Sequence, residues 1–313
     1  MKLQTICEQY AAFRKTLGER FEVNGRQLKA FCRAMGPHLD IADVSPEKVN
    51  TFLVGKGPLT TSWYVRHNAL LGFYRYAISR RLAATSPLPL AIPKRPPAFQ
   101  PYIYSPAELR RILDSTESCR RPRSDLDVPV MRSLLLLMYS AALRTSEVLS
   151  LTTRDVDLPG AVLTIRDSKF FKTRLVPIGP KTVQVLAEYA GRRKTSSRCP
   201  GSPFFVARNG KQVPIHKFER AFKQIRVHAG LRREGGPRCQ PRLHDLRHTS
   251  AVHRLTTWYR EGKDVQKLLQ QLSVYMGHTR LAATQVYLTM TPELLHEANL
   301  RFERYATREG SND

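Results

Sequence analysis

Prolines crowd the segment from Leu88 to Pro106, with Pro93, Pro96, Pro97 and Pro101 among them. Each pyrrolidine ring fixes φ and removes a backbone donor, so neither a helix nor an interior strand crosses this stretch. With Lys94 and Arg95 inside it, residues 91–104 read as a stiff, basic linker. The linker divides the 313 residues into a domain over 1–90 and a larger one over 105–313, in keeping with domains of roughly 100 to 200 residues. A long surface loop inside one domain is the alternative.

Periodicity on either side predicts mainly α structure with a small β-sheet. Leu70, Phe73, Tyr74, Ala77 and Ile78 follow the spacing of one buried helical stripe, with Thr60, Thr61 and Ser62 as candidate caps upstream. Arg66, Arg75, Arg80 and Arg81 surround that helix, either as a solvated face or as contacts to a phosphate backbone. Beyond the linker, Ser105-Pro106-Ala107-Glu108 is a helix start with a capping box. The apolar run Met131 to Tyr139 predicts a buried central helix, and Thr145 and Ser146 are placed to cap the next one. Residues 161–178 predict a β-hairpin, since two β-branched runs flank a polar turn. Ile215, Phe218, Phe222 and Ile225 return to helical spacing that Gly230 can end. Thr291-Pro292-Glu293 opens a last amphipathic helix through Leu294, Leu295, Ala298 and Phe302.

Charge narrows the class of partner. Lysine and arginine total 51 against 26 acidic residues, a net +25, and such an excess repels itself unless a polyanion offsets it. Residues 1–95 hold 15 basic and 6 acidic side chains, the remainder 36 and 20, so both parts are suited to phosphate and nucleic acid leads. The five cysteines, Cys7, Cys32, Cys119, Cys199 and Cys239, contain no CxxC pair and read as free thiols. The first residues lack an apolar signal run, and no stretch approaches the ~18 apolar residues of a membrane span; a cytoplasmic location is expected.

Three short stretches carry the chemistry: Ala142-Leu143-Arg144-Thr145-Ser146-Glu147, then Leu243-His244-Asp245-Leu246-Arg247-His248, then Met276-Gly277-His278 with Tyr287 nine residues on. Cutting a phosphodiester without a metal needs a nucleophile, charge neutralisation and a proton for the departing oxygen. A tyrosine hydroxyl can store the bond as a phosphotyrosine, so that a DNA 5′-hydroxyl reseals it without ATP. Two guanidinium forks suit the non-bridging oxygens and stay charged throughout. His244 and Arg247, three apart on a helix, reach one side together. In this order the stretches, over roughly residues 105–290, resemble the catalytic signature of the tyrosine recombinases, also called phage integrases.

That resemblance implies Tyr287 as nucleophile, Arg144 and Arg247 as the phosphate clamp, and Glu147 as a support that positions an arginine. It implies His244 in proton transfer and phosphate contact and His278 as a donor to a phosphate oxygen. Lys169, in the KxxKxRLVP stretch, corresponds to the hairpin lysine that protonates the leaving 5′-oxygen, with Lys172 as the alternative; Lys172 and Arg174 are otherwise candidate contacts to DNA. The family's N-terminal part is a helical (SAM-like) core-binding domain, which residues 1–90 match in size, charge and position. Further expectations follow: binding to double-stranded DNA with inverted half-sites, self-association as dimer and synaptic tetramer, strand exchange through a Holliday junction in integration or transposition of a mobile element, and accessory proteins that set direction. The C-terminal helix packs on its own domain or docks on a neighbouring protomer.

Two departures from the family pattern bear on the site. Ala142 stands where glycine is common, which a helix end tolerates if its backbone angles are ordinary, and Phe170-Phe171 replaces small or polar residues in the hairpin turn. The segment Val252 to Lys263, with Trp258, Tyr259 and Arg260, is a candidate local contact to DNA or protein. No cofactor or metal is expected, because no carboxylate set converges by spacing and His244 with His248 lacks the glutamate of HExxH. A type IB topoisomerase shares the tyrosine chemistry, and a non-catalytic DNA-binding protein of the same fold is the remaining alternative.

Overall fold

The computed structural model describes residues 1–19, 21–96, 99–120, 126–166, 173–193 and 199–309. The chain forms two compact units, Met1–Phe99 and Gln100–Asp313.

The first unit is a four-helix cluster: α1 Leu3–Thr16, α2 Glu22–Met35, α3 Pro46–Val54 and α4 Thr61–Ser79. α1 buries Leu3, Ile6, Cys7 and Tyr10, and α2 buries Leu28, Phe31, Cys32 and Met35, each set at i, i+3, i+4, i+7. Ser45 caps α3 through the Lys48 amide, with Pro46 at the first turn, and Thr60 caps α4 through the Ser62 amide. Leu70, Phe73, Tyr74 and Ala77 of the expected stripe are buried, while Ile78 at its end is exposed. Phe73 meets Tyr10 and Phe31 edge to face at centroid separations of 6.0 and 6.4 Å. Beyond α4 the chain folds back, and the Tyr64 hydroxyl donates to the Pro93 carbonyl at 2.9 Å.

In the second unit the helices are α5 Pro106–Asp114, α6 Val128–Ser140, α7 Thr145–Ser150, α8 Pro180–Gly191, α9 Ile215–His228, α10 Asp245–Arg260, α11 Val265–Met276, α12 Ala282–Gln285 and α13 Pro292–Glu309. The capping box of α5 is complete: the Ser105 hydroxyl accepts from the Glu108 amide, and the Glu108 carboxylate accepts from the Ser105 amide. α6 is the expected central helix, burying Val130, Met131, Leu134, Leu135, Leu137 and Met138. The hairpin is present as β2 Val162–Ile165 and β3 Arg174–Pro177, paired Leu163 to Val176. A two-residue strand β1, Val156–Asp157, extends it to an antiparallel sheet of order β1-β2-β3. Two residues carry too little periodicity to announce such a strand. A second apolar cluster gathers Ala251, Val252 and Leu255 of α10 with Leu269, Leu272 and Met276 of α11, and both Tyr287 and Leu294 belong to it.

Residues 91–104 have no helix or strand among those described, and the last of them docks on the second unit. Tyr104 is fully buried in the second unit; its amide donates to Thr249 Oγ1 at 3.0 Å and its hydroxyl to the Arg242 carbonyl at 3.1 Å. A large ring with a polar tip beside the prolines was the available signal. Cys7, Cys32, Cys199 and Cys239 are free thiols, and no described helix is long and apolar enough to cross a membrane. Because Tyr104 grips the chain just ahead of His244, Tyr104→Phe is expected to lower stability by about 1 kcal/mol in urea unfolding, the net worth of one buried hydrogen bond.

Candidate active site

The site grows around one carboxylate. α7 begins immediately after Arg144, and its first turn turns Glu147 back on that residue: Oε2 accepts the Arg144 amide at 2.9 Å and Oε1 accepts Arg144 Nη1 at 2.7 Å. From β3, Arg174 reaches the same group with both terminal nitrogens, at 3.0 and 2.9 Å. Arg247 Nη1 lies 3.9 Å from Oε2. Burial alone raises a carboxyl pKa, but hydrogen bonds from Arg174 and the Arg144 amide, with the charges of both arginines, overturn this and hold Glu147 at about 2.

Arg247, in the first turn of α10, is among the most buried side chains of the chain. Nη1 donates to the Ala142 carbonyl, and Nη2 to the Met276 carbonyl at 2.6 Å. Burial pushes its pKa down to about 10, which leaves it charged at neutral pH. Arg144 Nη2 donates to the Gly277 carbonyl at 3.1 Å, so two adjacent carbonyls at the end of α11 aim two arginines. Gly277 has φ +68°, and a Cβ there would stand 2.7 Å from Arg174 Nη1; both the turn and the close approach require glycine.

Tyr287 stands in a 3-10 turn, Val286–Thr289, between α12 and α13, and is only 2 % exposed. Its hydroxyl is joined to His248 Nδ1 at 3.1 Å. The His278 ring stacks toward it at 6.2 Å, held through Nδ1 by Thr284 Oγ1 at 2.7 Å. His244 sits at the start of α10, its ring edge-on to His248 at 4.8 Å. Burial raises the Tyr287 pKa, partly offset by Arg247 and Arg144. Burial first, then the neighbouring cations, lowers His244, takes His278 to about 4 and takes His248 to about 3. These imidazoles are neutral at pH 7. An open cleft of about 880 Å³ borders His244 and is lined by Lys223, Arg226, Arg232 and Arg242 among others.

Residues far apart in sequence are therefore brought together: Arg144, Glu147, His244, Arg247, His278 and Tyr287 form one cluster. Lys169 and Lys172 lie outside the described residues. Arg174 corrects an expectation: with its side chain 10 % exposed, both ends of its fork on Glu147 and Nε donating to the Tyr275 carbonyl at 3.0 Å, it faces inward as a support of Glu147. Arg66 is a second correction. Its Nη1 donates to the Phe52 carbonyl at 2.7 Å, with the guanidinium over the Phe52 ring, so it closes the end of α3. Arg75, Arg80, Arg81, Lys94 and Arg95 are exposed, Arg80 resting on Tyr76 and Arg95 on Tyr64. Arg260 ties α10 to α13 through Glu293 and Glu297. The face of α13 also differs from expectation: Leu294 is buried, while Leu295 and Phe302 are exposed.

Ala142 does not have ordinary backbone angles. Its φ is +50°, in the left-handed region that Cβ disfavours by about 1–2 kcal/mol, and this turn directs the carbonyl at Arg247. The alanine at a glycine-favoured position was a signal that composition and periodicity do not read.

The sequence profile of the phage integrase family matches residues 104–293. The chain belongs to this family. It is 33% identical over 291 residues to the integrase/recombinase y4rE of Sinorhizobium fredii, covering 92% of each chain. It is 27% identical over 303 residues to the tyrosine recombinase XerD of Rhizobium meliloti, covering 94% of this chain and 91% of that one. The fold is similar to that of lambda integrase in the crystal structure of its tetramer bound to a Holliday junction, with a TM-score of 0.66 and 16% identity over 92% of this chain and 77% of that one. The family match starts at Tyr104, the residue that anchors the second unit, and spans every member of the cluster around Glu147 and Tyr287.

Two outcomes test this integrase site. Glu147 is depressed from 4.5 to about 2, so its stabilisation is present above pH 4.5 and lost as pH falls toward 2. Glu147→Gln is expected to cost about 3 kcal/mol at pH 7, with the gap to the wild type closing between those pH values in urea titrations. Ala142→Gly relieves the left-handed strain and is expected to gain about 0.5–1 kcal/mol after the entropy of an added glycine is counted, read as a raised unfolding midpoint.

Proposed function

We propose that this integrase is a site-specific DNA recombinase that cuts and rejoins strands through a 3′-phosphotyrosyl link at Tyr287. The observation that carries the reading is the convergence of the Tyr287 hydroxyl with Arg144, Arg247, His244 and His278 in one buried, cation-rich cluster built from separate elements. Tyr287 attacks phosphorus and forms the phosphotyrosine. Arg144 and Arg247 take the two non-bridging oxygens, with Glu147 and Arg174 fixing the approach of Arg144. His278 donates to a phosphate oxygen, His244 assists at the phosphate, and Lys169 protonates the leaving 5′-oxygen. Tyr287 and Arg247 are 2 % and 1 % exposed, so cleavage follows a movement that uncovers them.

The first unit is proposed as the core-binding domain, contacting backbone phosphates through Arg75, Arg80, Arg81, Lys94 and Arg95. The cleft lined by Lys223, Arg232 and Arg242 offers cations to a strand beside the cut. Two protomers bind inverted half-sites, two sites pair as a tetramer, and strands exchange through a Holliday junction, in integration or transposition of a mobile element within the cytoplasm. The description of a solved relative as a tetramer on such a junction supports the assembly.

The test is covalent capture. Wild type, incubated in EDTA with a nicked duplex carrying the cognate site, is expected to form an adduct that survives denaturation. Tyr287→Phe is expected to bind the same duplex and form none. An adduct in the mutant places the nucleophile elsewhere, and specific binding with no adduct by the wild type makes the chain a DNA-binding protein without this chemistry.

A further inference from the structure

We propose that His248 accepts the Tyr287 proton during attack on phosphorus. This role presupposes the phosphotyrosyl chemistry proposed above and adds a group that the sequence pattern left unused. Tyr287 carries an O–H that must be lost as its oxygen bonds to phosphorus, and it is sealed in an apolar cluster with Leu255, Leu269 and Met276, where bulk water does not reach it. The group placed on that hydroxyl is His248 Nδ1, at 3.1 Å, within the reach general base catalysis requires. The guanidinium of Arg247 favours the phenolate from beside it but cannot take a proton. His278 has its Nδ1 committed to Thr284. His248 follows Arg247 directly on α10, so the residue that clamps phosphate and the residue that receives the proton are set by one helical turn.

The step balances. The Tyr287 O–H bond breaks, its proton passes to Nδ1, and the freed pair forms the oxygen–phosphorus bond. The bond from phosphorus to the 5′-oxygen breaks, and that oxygen takes a proton from the separate acid assigned above to Lys169. In resealing, the imidazolium returns its proton to Tyr287 as the 5′-hydroxyl displaces it.

Binding of DNA strengthens the acceptor. In the closed site His248 is held at about 3, by burial first and then by His244, Arg247, Arg242 and His278. The His244 ring lies edge-on to it at 4.8 Å and the Tyr287 ring tilts against it at 5.6 Å. A phosphate anion seated on Arg247 offsets its field and raises the basicity of Nδ1, so proton acceptance is coupled to the presence of substrate.

The experiment measures single-turnover adduct formation on a nicked duplex in EDTA, with saturating full-length protein, from about pH 5 to 8. Wild type is expected to keep its rate down to about pH 5, because His248 stays neutral and able to accept. His248→Asn keeps an acceptor near the Nδ1 position without useful basicity. It is expected to bind the duplex normally and react about a hundredfold more slowly or worse across the range. His248→Ala is expected to regain part of the rate with added imidazole. His248→Asn reacting at the wild-type rate, or a slow His248→Ala that imidazole does not speed, overturns the assignment. Absence of an adduct from the wild type overturns the phosphotyrosyl reading itself, whereas a fast His248→Asn beside an active wild type removes only the role of His248.

Discussion

The arginines of the site are gathered by the Glu147 carboxylate. A buried carboxylate is costly unless its lone pairs are filled and its charge is met, and here the Arg144 amide, the Arg144 side chain and the Arg174 fork fill them. With Arg247 close by, three guanidinium groups surround one carboxylate, so positive charge remains in excess. That excess is costly in an apolar setting and is relieved by an anion. The scaffold is thus held by the same imbalance that prepares it for a phosphate.

The sheet takes part through Arg174. It joins β3 to Glu147 and to the Tyr275 carbonyl at the end of α11, and Gly277 gives it room. A strand, a short helix and a helix terminus meet at one side chain, and the turns presenting the Gly277 and Met276 carbonyls are fixed with it. Arginine suits this task because a planar fork can serve a carboxylate with two donors and a carbonyl with a third.

Much of this was legible in the sequence because its signals are local. The stripe from Leu70 to Ala77, the capping box at Ser105, and the spacing of His244, Arg247, His278 and Tyr287 each state a periodicity or a chemical grouping. What escaped depends on contacts between distant segments. Arg174 and Arg66 looked like surface cations because charge alone does not reveal a buried carboxylate 27 residues away or a set of helix-end carbonyls. Tyr104 read as linker because prolines mask the side chain that docks. Ala142 read as harmless because its sign of φ is set by where its carbonyl must point. His248 was seen only as a neighbour of His244, since its partner is 39 residues on.

The burial of Tyr287 also sets a threshold. A side chain that contributes to an apolar cluster stabilises the closed state, so only a fraction of molecules presents it at any instant, and the apparent strength of productive binding is scaled by that fraction. A duplex that touches the protein weakly, at an arbitrary sequence, returns too little free energy to shift this balance, while a matched site returns more. Under the function proposed above, discrimination then resides in the population of open molecules as much as in contacts to bases, and stray DNA is spared because the proposed nucleophile stays out of reach.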